Sequence, residues 1–202
     1  TDTGSRLGLT IPADRSVTFA HRKWAHVLPP GAADCGRVDV ADIGLPRELT
    51  THAEGATRVF GLDDARRHLE PLSTSGHKGT SGRVLVVAGS RRMPGAAALV
   101  AKACVHSGAG LVTVATPSEA VTTVLAHCPE AVTIPPERDA ISEQLQRTDA
   151  IVIGPGWEAT DDHVSQLGWL LGASRAPTVV DATALRLWTR LEAPPRESRI
   201  VL

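Results

Sequence analysis

The chain has 202 residues, a formal net charge of −1 and a hydrophobic share of 42%. That length fits one large domain or parts of two, and that apolar share is ample for a core. Aromatic residues make up 3% of the chain, and the basic residues form no stripe, which argues against binding a nucleic-acid backbone or stacking single strands. No apolar run has the length of a membrane span, and no signal peptide is evident, so no membrane partner is expected.

The three cysteines, Cys35, Cys104 and Cys128, are far apart and form no CxxC pair. An odd count without metal-ligand spacing fits free thiols in a reducing compartment, so we expect a cytoplasmic protein. His21 and His26 lie five residues apart without a cysteine or carboxylate cluster nearby. No metal site is therefore expected.

The two ends of the chain suggest a piece of a longer protein. The sequence starts at Thr1 rather than Met, and it stops in the apolar run Ile200-Val201-Leu202. That run indicates the beginning of a buried strand, and domains seldom end there because unpaired backbone would be exposed. We expect the 202-residue chain alone to have no catalytic turnover.

The first part of the chain reads as the end of an α/β unit. Strands are predicted at Ser16–Phe19 and Val38–Ile43, and a brief helix at Leu62–Leu69. A change to polar, mixed composition predicts a domain boundary near residue 50, which gives domains 1–50 and 51–202.

From residue 77 onward, short apolar runs alternate with helical segments. Strands are predicted near 84–88, 111–116, 150–153 and 177–180 with an extended segment at 131–134, and helices near 96–107, 118–127, 139–147, 161–171 and 185–191. Ser118 and Thr160 are predicted to cap the helices that follow them. This alternation predicts an α/β fold with a parallel sheet, in which ligands bind beyond the carboxyl ends of the strands.

Three strand ends carry residues suited to a ligand: Gly89-Ser90, Gly154-Pro155-Gly156 and Asp181. Glycines let the backbone approach a ligand, and free N–H groups at the helix start near Gly95-Ala96 suit an anion or polar group. Each feature also has a plainer explanation: a tight turn, close helix–sheet packing, or, for Asp181, a helix cap. Neither a P-loop nor a G-x-G-x-x-G fingerprint is present. We predict that Gly89, Gly95, Gly154, Gly156 and Asp181 face a common cleft.

Taken together, the segments HKGTSGRVLVVAGS, MPGAAALVAKACVHSGAGLVTVATP, PEAV, DAIVIGPG and VVDATAL resemble the dehydratase domain of the NAD(P)H-hydrate repair enzymes, over roughly residues 77–202. Upstream, DTG, IPADRSVTF, LPPG and VDVADIGLP are similar to the end of the epimerase domain that precedes the dehydratase in the bacterial bifunctional form. The resemblance implies a ribokinase-like layered fold with a mostly parallel central sheet, preceded by the tail of a Rossmann-like domain.

The function implied by the resemblance is repair of a damaged nucleotide. The dehydratase uses ADP or ATP, with Mg²⁺, to dehydrate hydrated NADH or NADPH, and the epimerase part interconverts the hydrate epimers and binds K⁺. A homo-oligomer is also implied. Fold alone leaves two alternatives open: a ribokinase-like kinase that phosphorylates a small alcohol, and an inactive nucleotide-binding module.

The resemblance also assigns site residues. Those expected to bind the hydrate are Gly95, Ala96, Gly154, Pro155, Gly156 and Asp181, with His77, Lys78, Gly79, Gly89 and Ser90 as nearby loops. The catalytic Asp and most of the ADP-binding region are expected beyond Leu202. Two positions depart from the family pattern: Trp157-Glu158 stand where it has an aliphatic residue and a glycine, and Thr183 stands where it has a second Asp.

Overall fold

The computed structural model describes residues 3–46, 48–49, 57, 59–68, 78–192 and 200–201. The chain divides into two compact units, Thr1–Leu69 and Glu70–Leu202. The domain boundary near residue 50 stays a prediction, because residues 50–56 lie outside the described part of the chain.

The first unit contains a small parallel sheet. Strand β1 (Arg15–Phe19) pairs with β2 (Arg37–Ala41), and helix α1 (Leu62–His68) follows. The Asp34 carboxylate accepts hydrogen bonds from Arg6 Nε at 2.6 Å and from Thr10 Oγ1 at 2.8 Å, and these bonds lower the pKa of that carboxyl. The predicted strands and helix of this unit are confirmed, with ends shifted by one or two residues.

The second unit alternates strands and helices throughout. In chain order its elements are β3 (Arg83–Val87), α2 (Pro94–His106), β4 (Leu111–Ala115), α3 (Ser118–His127), β5 (Val132–Ile134), α4 (Arg138–Leu145), β6 (Ala150–Ile153), α5 (Asp161–Ala173), β7 (Thr178–Val180), α6 (Thr183–Trp188) and β8 (Ile200–Val201). The described strands form one sheet in the order β5-β4-β3-β6-β7-β8, and every pairing is parallel. The predicted α/β fold with a parallel central sheet is confirmed.

Both faces of the sheet are covered, because successive side chains of a strand point to opposite faces. Leu85 and Val87 of β3 pack into one apolar cluster with α4, α5 and α6, and Val86 packs into a second cluster with α2 and α3. All three side chains are fully buried. The continuous apolar run in the sequence is therefore a central strand buried on both sides, as parallel sheets require.

Two helix ends show how local sequence sets the element bounds. After α2, Gly108 N–H donates to Val105 O at 3.0 Å and Ala109 N–H to Cys104 O at 3.1 Å, the paired bonds of a Schellman motif. Thr160 caps α5 as predicted, since its hydroxyl accepts from His163 N–H at 3.3 Å.

The predicted Ser118 cap is wrong. Ser118 is already the first helical residue of α3, the preceding Pro117 takes the cap position without a side-chain hydrogen bond, and the Ser118 hydroxyl donates to Glu119 Oε2 at 3.0 Å. None of the helices in the described ranges is both long and apolar enough to cross a membrane.

Candidate ligand site at the carboxyl edge of the sheet

The sheet order contains a point where the chain reverses direction across the sheet. From β3 the chain moves outward through β4 and β5, then returns to β6 on the other side of β3. The loops that follow β3 and β6 lead to helices on opposite faces, because α2 and α5 belong to different apolar clusters. In such sheets ligands bind in the crevice at this switch point.

Backbone groups of the two glycine loops meet at this point. Gly89 N–H donates to Pro155 O at 2.8 Å. A methyl group placed on Gly156 would lie 2.8 Å from both Ala96 Cβ and Met93 O, and 3.0 Å from Gly89 Cα. Gly156 also has a φ of +75°, in the left-handed region that favours glycine. The start of α2 therefore packs directly on the loop after β6.

A second close approach joins the loop after β6 to the loop after β7. A methyl group on Gly154 would clash with Ala184 Cβ and with Asp181 O. Asp181 N–H donates to Ile153 O at 3.1 Å, which holds the end of β7 beside the end of β6. Asp181 thus lies at the same edge of the sheet as the two glycine loops.

Asp181 does not act as a helix cap. The cap position of α6 is taken by Ala182, without a side-chain hydrogen bond, and the Asp181 carboxylate is exposed. Asp181 O accepts from Ala184 N–H at 3.1 Å in a tight turn whose second residue, Ala182, has φ 52° and ψ −120°. An alanine with this backbone stores strain of about 1–3 kcal/mol, and such strain is often found at ligand sites.

The two departures from the expected pattern contact each other. The Thr183 hydroxyl donates to Trp157 O at 2.9 Å rather than capping α6. The Trp157 side chain is 2% exposed and stacks on His163 of α5, with ring centroids 4.5 Å apart and ring planes at 22°. Trp157 therefore anchors the loop to α5 and α6, so the glycine loop keeps its place at the switch point although its sequence departs from the family pattern.

The loops at Gly89 and Gly156 meet at a point that we call the glycine junction. Two clefts lie beside it. One, of about 460 Å³, is bounded by Gly89, Pro117, Arg138, His163 and Gln166 among others. The other, of about 570 Å³, is bounded by Arg92, Met93, the segment from Trp157 to Thr160, Thr183 and Arg186. Volumes of this size are typical of small-molecule sites.

The comparison with protein families identifies this unit. A family model described as NAD(P)H-hydrate dehydratase matches residues 84–202. The chain belongs to the NAD(P)H-hydrate dehydratase family.

Relatives of the dehydratase family match different shares of the chain. The bifunctional NAD(P)H-hydrate repair enzyme Nnr of Moorella thermoacetica is 38% identical over 195 residues, which cover 91% of this chain and 37% of that protein. The ADP-dependent (S)-NAD(P)H-hydrate dehydratase of Streptococcus thermophilus is 41% identical over 128 residues, covering 62% of this chain and 46% of that protein. The chain thus spans less than half the length of these two relatives.

Solved structures of the same family share the fold. The ADP/ATP-dependent NAD(P)H-hydrate dehydratase of Bacillus subtilis, co-crystallised with ATP and Mg²⁺, superposes with a TM-score of 0.56 and 31% identity, covering 62% of this chain and 46% of that one. The predicted ribokinase-like fold is therefore confirmed for the second unit. The kinase alternative has less support, because the family model and these relatives carry dehydratase names.

The remaining residues assigned from sequence lie in different surroundings. Gly95, in the first turn of α2, has open space where a side chain would point. Ser90 is 7% exposed, and its hydroxyl accepts from Met93 N–H at 3.2 Å, which closes the loop before α2.

Within the described ranges no group of three or more His, Cys, Asp and Glu side chains could hold a metal ion.

The prediction that Lys78 and Gly79 form a loop near the glycine junction is wrong. A methyl group on Gly110 would clash with Lys78 O, which places this loop at the start of β4. Residues that precede a strand in a parallel sheet lie at its amino edge, roughly 17 Å from the carboxyl edge for a five-residue strand. His77 lies outside the described residues.

Sequence reasoning did not find the three charged side chains of the larger cleft as a group. Arg92, Glu158 and Arg186 come from three separate segments, and no spacing in the sequence relates them. Their shared cleft depends on the packing of α6 beside the loop after β6.

Proposed function

We propose that this chain is part of an ADP- or ATP-dependent enzyme of nucleotide repair, which dehydrates hydrated NADH and NADPH back to NADH and NADPH. Its second unit supplies the edge that binds the hydrate. The observation that carries the proposal is that the family match and the meeting point of the two glycine loops fall in the same unit. The dehydratase family match over residues 84–202 covers the unit in which the loops at Gly89 and Gly156 meet at the switch point of the sheet.

The reaction proceeds in two steps. A phosphoryl group passes from the nucleotide to the hydroxyl oxygen of the hydrate, so that ATP becomes ADP or ADP becomes AMP, and the hydroxyl proton is released to solvent. The phosphate ester then leaves as inorganic phosphate with the C–O bonding electrons. Loss of a proton from the neighbouring ring carbon restores the nicotinamide double bond. Phosphoryl transfer depends mainly on positioning and on stabilisation of charge, so the binding edge must hold the hydrate rigidly.

The roles of the site residues follow from their surroundings. Gly95, Ala96 and Gly156 line the hydrate: Gly95 leaves open space at the start of α2, and next to it Ala96 packs against Gly156. Gly154 and Pro155 hold the loop in place, and the exposed Asp181 carboxylate contacts the ligand. The catalytic Asp and the nucleotide-donor site belong to other parts of the enzyme.

Several finer assignments belong to the same proposal. Mg²⁺ accompanies the nucleotide donor. Residues 1–50 belong to an epimerase part that uses K⁺ and interconverts the hydrate epimers, and residues 51–202 belong to the dehydratase. The enzyme is a cytoplasmic homo-oligomer that binds no nucleic acid.

The test is an absorbance assay on the full-length product of the reading frame that encodes these residues. Hydrated NADPH is mixed with ADP or ATP and Mg²⁺, and regeneration of NADPH is followed at the absorbance of the reduced nicotinamide. We expect regeneration that requires the nucleotide and is strongly reduced by Asp181→Asn. Absence of nucleotide-dependent regeneration, with phosphorylation of a small alcohol instead, would establish the kinase alternative.

A further inference from the structure

The larger cleft at the carboxyl edge is lined by charged groups from three segments. Arg92 comes from the loop between β3 and α2, Glu158 from the loop between β6 and α5, and Arg186 from α6. We call the space they line, about 570 Å³, the arginine cleft. It adjoins the glycine junction through Met93, whose carbonyl oxygen packs on Gly156 and whose side chain also lines the cleft.

The hydroxyl groups of the arginine cleft already have partners in the fold. Thr183 Oγ1 donates to Trp157 O at 2.9 Å, and Thr160 Oγ1 accepts from His163 N–H. These groups hold the wall of the cleft in place. They leave the charged side chains as the groups with which the cleft can recognise a ligand.

The two guanidinium groups of the cleft are not neutralised by the described part of the protein. Neither Arg92 nor Arg186 forms a side-chain hydrogen bond or an ion pair with a described residue, and both are exposed. The nearby Arg190, in contrast, pairs with Asp161. The Glu158 carboxylate is also exposed and without a described partner, so the three charged groups leave an excess of one positive charge.

Two arginines on one cleft suit phosphate. The guanidinium fork donates two parallel hydrogen bonds to phosphate oxygens, and it stays charged at every physiological pH. We propose that the arginine cleft is a phosphate subsite, in which Arg92 and Arg186 bind the pyrophosphate of the hydrated dinucleotide and Glu158 weakens that binding by repulsion. The identity of the dinucleotide rests on the proposed function, whereas the phosphate chemistry rests on the cleft itself.

The position of the cleft fits this role. Met93 borders both the Ala96–Gly156 contact and the arginine cleft, so a nucleotide whose nicotinamide end lies against Ala96 and Gly156 can extend its phosphates into the cleft. The cleft is large enough for a pyrophosphate and part of a ribose.

The test measures ligand affinity by isothermal titration calorimetry on the full-length product of the reading frame. The variants are Arg92→Gln, Arg186→Gln and Glu158→Gln, with Arg91→Gln as the matched control. Arg91 is the exposed neighbour of Arg92 and does not line the cleft. The pKa of Glu119 is lowered mainly by a backbone hydrogen bond and a bond from Ser118, and to a smaller extent by Arg91, so Arg91 lies towards α3.

The ligands are hydrated NADH, the hydrate of reduced nicotinamide riboside, which has no phosphate, and inorganic pyrophosphate. Arg92→Gln and Arg186→Gln are each expected to weaken hydrated NADH and pyrophosphate about tenfold, because each removes charge-assisted hydrogen bonds to phosphate. Glu158→Gln is expected to tighten both about threefold, and Arg91→Gln to leave both unchanged. These effects shrink at high salt, since exposed charges are screened. For the riboside hydrate the arginine variants are expected to change affinity less than about twofold, because it has no phosphate for the arginines to bind.

Three results would overturn the phosphate subsite. They are wild-type affinity in both arginine variants, weakening by Glu158→Gln, and equal losses for the dinucleotide and riboside hydrates, which would show that the arginines do not act through phosphate. The outcome is separable from that of the proposed function. Turnover with wild-type affinity in the arginine variants rejects only the subsite, whereas arginine-dependent pyrophosphate binding without turnover rejects only the function.

Discussion

Replacing Gly156 with alanine tests the close approach on which the candidate site depends. The new methyl group would lie 2.8 Å from Ala96 Cβ and Met93 O, with Gly89 Cα at 3.0 Å, and neither backbone can yield cheaply. The positive φ of Gly156 costs an alanine about 1–2 kcal/mol, and forcing a methyl into packed surroundings costs about 1–3 kcal/mol. The free energy of unfolding should therefore fall by roughly 2–5 kcal/mol.

Urea unfolding followed by circular dichroism measures this loss. With a denaturant slope of about 2 kcal/mol per molar, the midpoint should move down by roughly 1–2.5 M. Gly95→Ala is the matched control, because open space surrounds the added methyl and the residue is helical. It should leave stability unchanged or raise it by up to about 1 kcal/mol, yet weaken hydrate binding if the ligand lies on α2. A wild-type midpoint for Gly156→Ala would refute the reasoning from the junction.

Three further measurements test other parts of the second unit. Asp181→Asn should lower dehydratase activity of the full-length product at an unchanged melting temperature, because the exposed carboxylate has no described partner; a lower melting temperature with full activity would reveal a structural role. Ala182→Gly should raise the free energy of unfolding by about 1 kcal/mol, measured in urea, by relieving a positive φ, and unchanged stability would argue against strain. Burial raises the pKa of the Cys104 and Cys128 thiols, so fewer thiolates exist at pH 8, and iodoacetamide should label both residues more slowly in native protein than in urea; equal rates would contradict the burial.

The sheet was predictable because each buried strand has a recognisable local sequence pattern. The run that became β3 is apolar at every position from Val84 to Val87 and stops at Ala88-Gly89, so both the burial and the turn are visible in sequence. The loop after β6 was predictable for a similar reason, since Gly154 and Gly156 mark backbone positions where a side chain would clash. The clash is a tertiary constraint, but the glycine that it requires is visible in the sequence.

Hydroxyl partners were less predictable, because the same side chain can bond to several backbone groups. Ser118 and Thr160 have the same local signature of a cap, but only Thr160 precedes its helix; Ser118 is already inside α3 behind Pro117. Thr183 is the first residue of α6, and its hydroxyl donates to Trp157 O, 26 residues earlier in the chain. That contact exists only once α6 packs beside the loop after β6, so spacing alone could not find it.

The candidate site has a tightly packed part and an exposed charged part, and mutations will affect the two differently. At the switch point the surface of the candidate site is backbone and small side chains, so added volume at Gly156 is expected to damage stability and binding together. Around it, Asp181 and the three charged residues of the arginine cleft are exposed and unpaired among the described residues, and their removal should spare stability. Unpaired exposed charge contributes little to folding, so changes at these positions isolate ligand recognition from fold. Affinity measurements on the charged residues, with stability measurements on the glycines, therefore separate what holds the site together from what it binds.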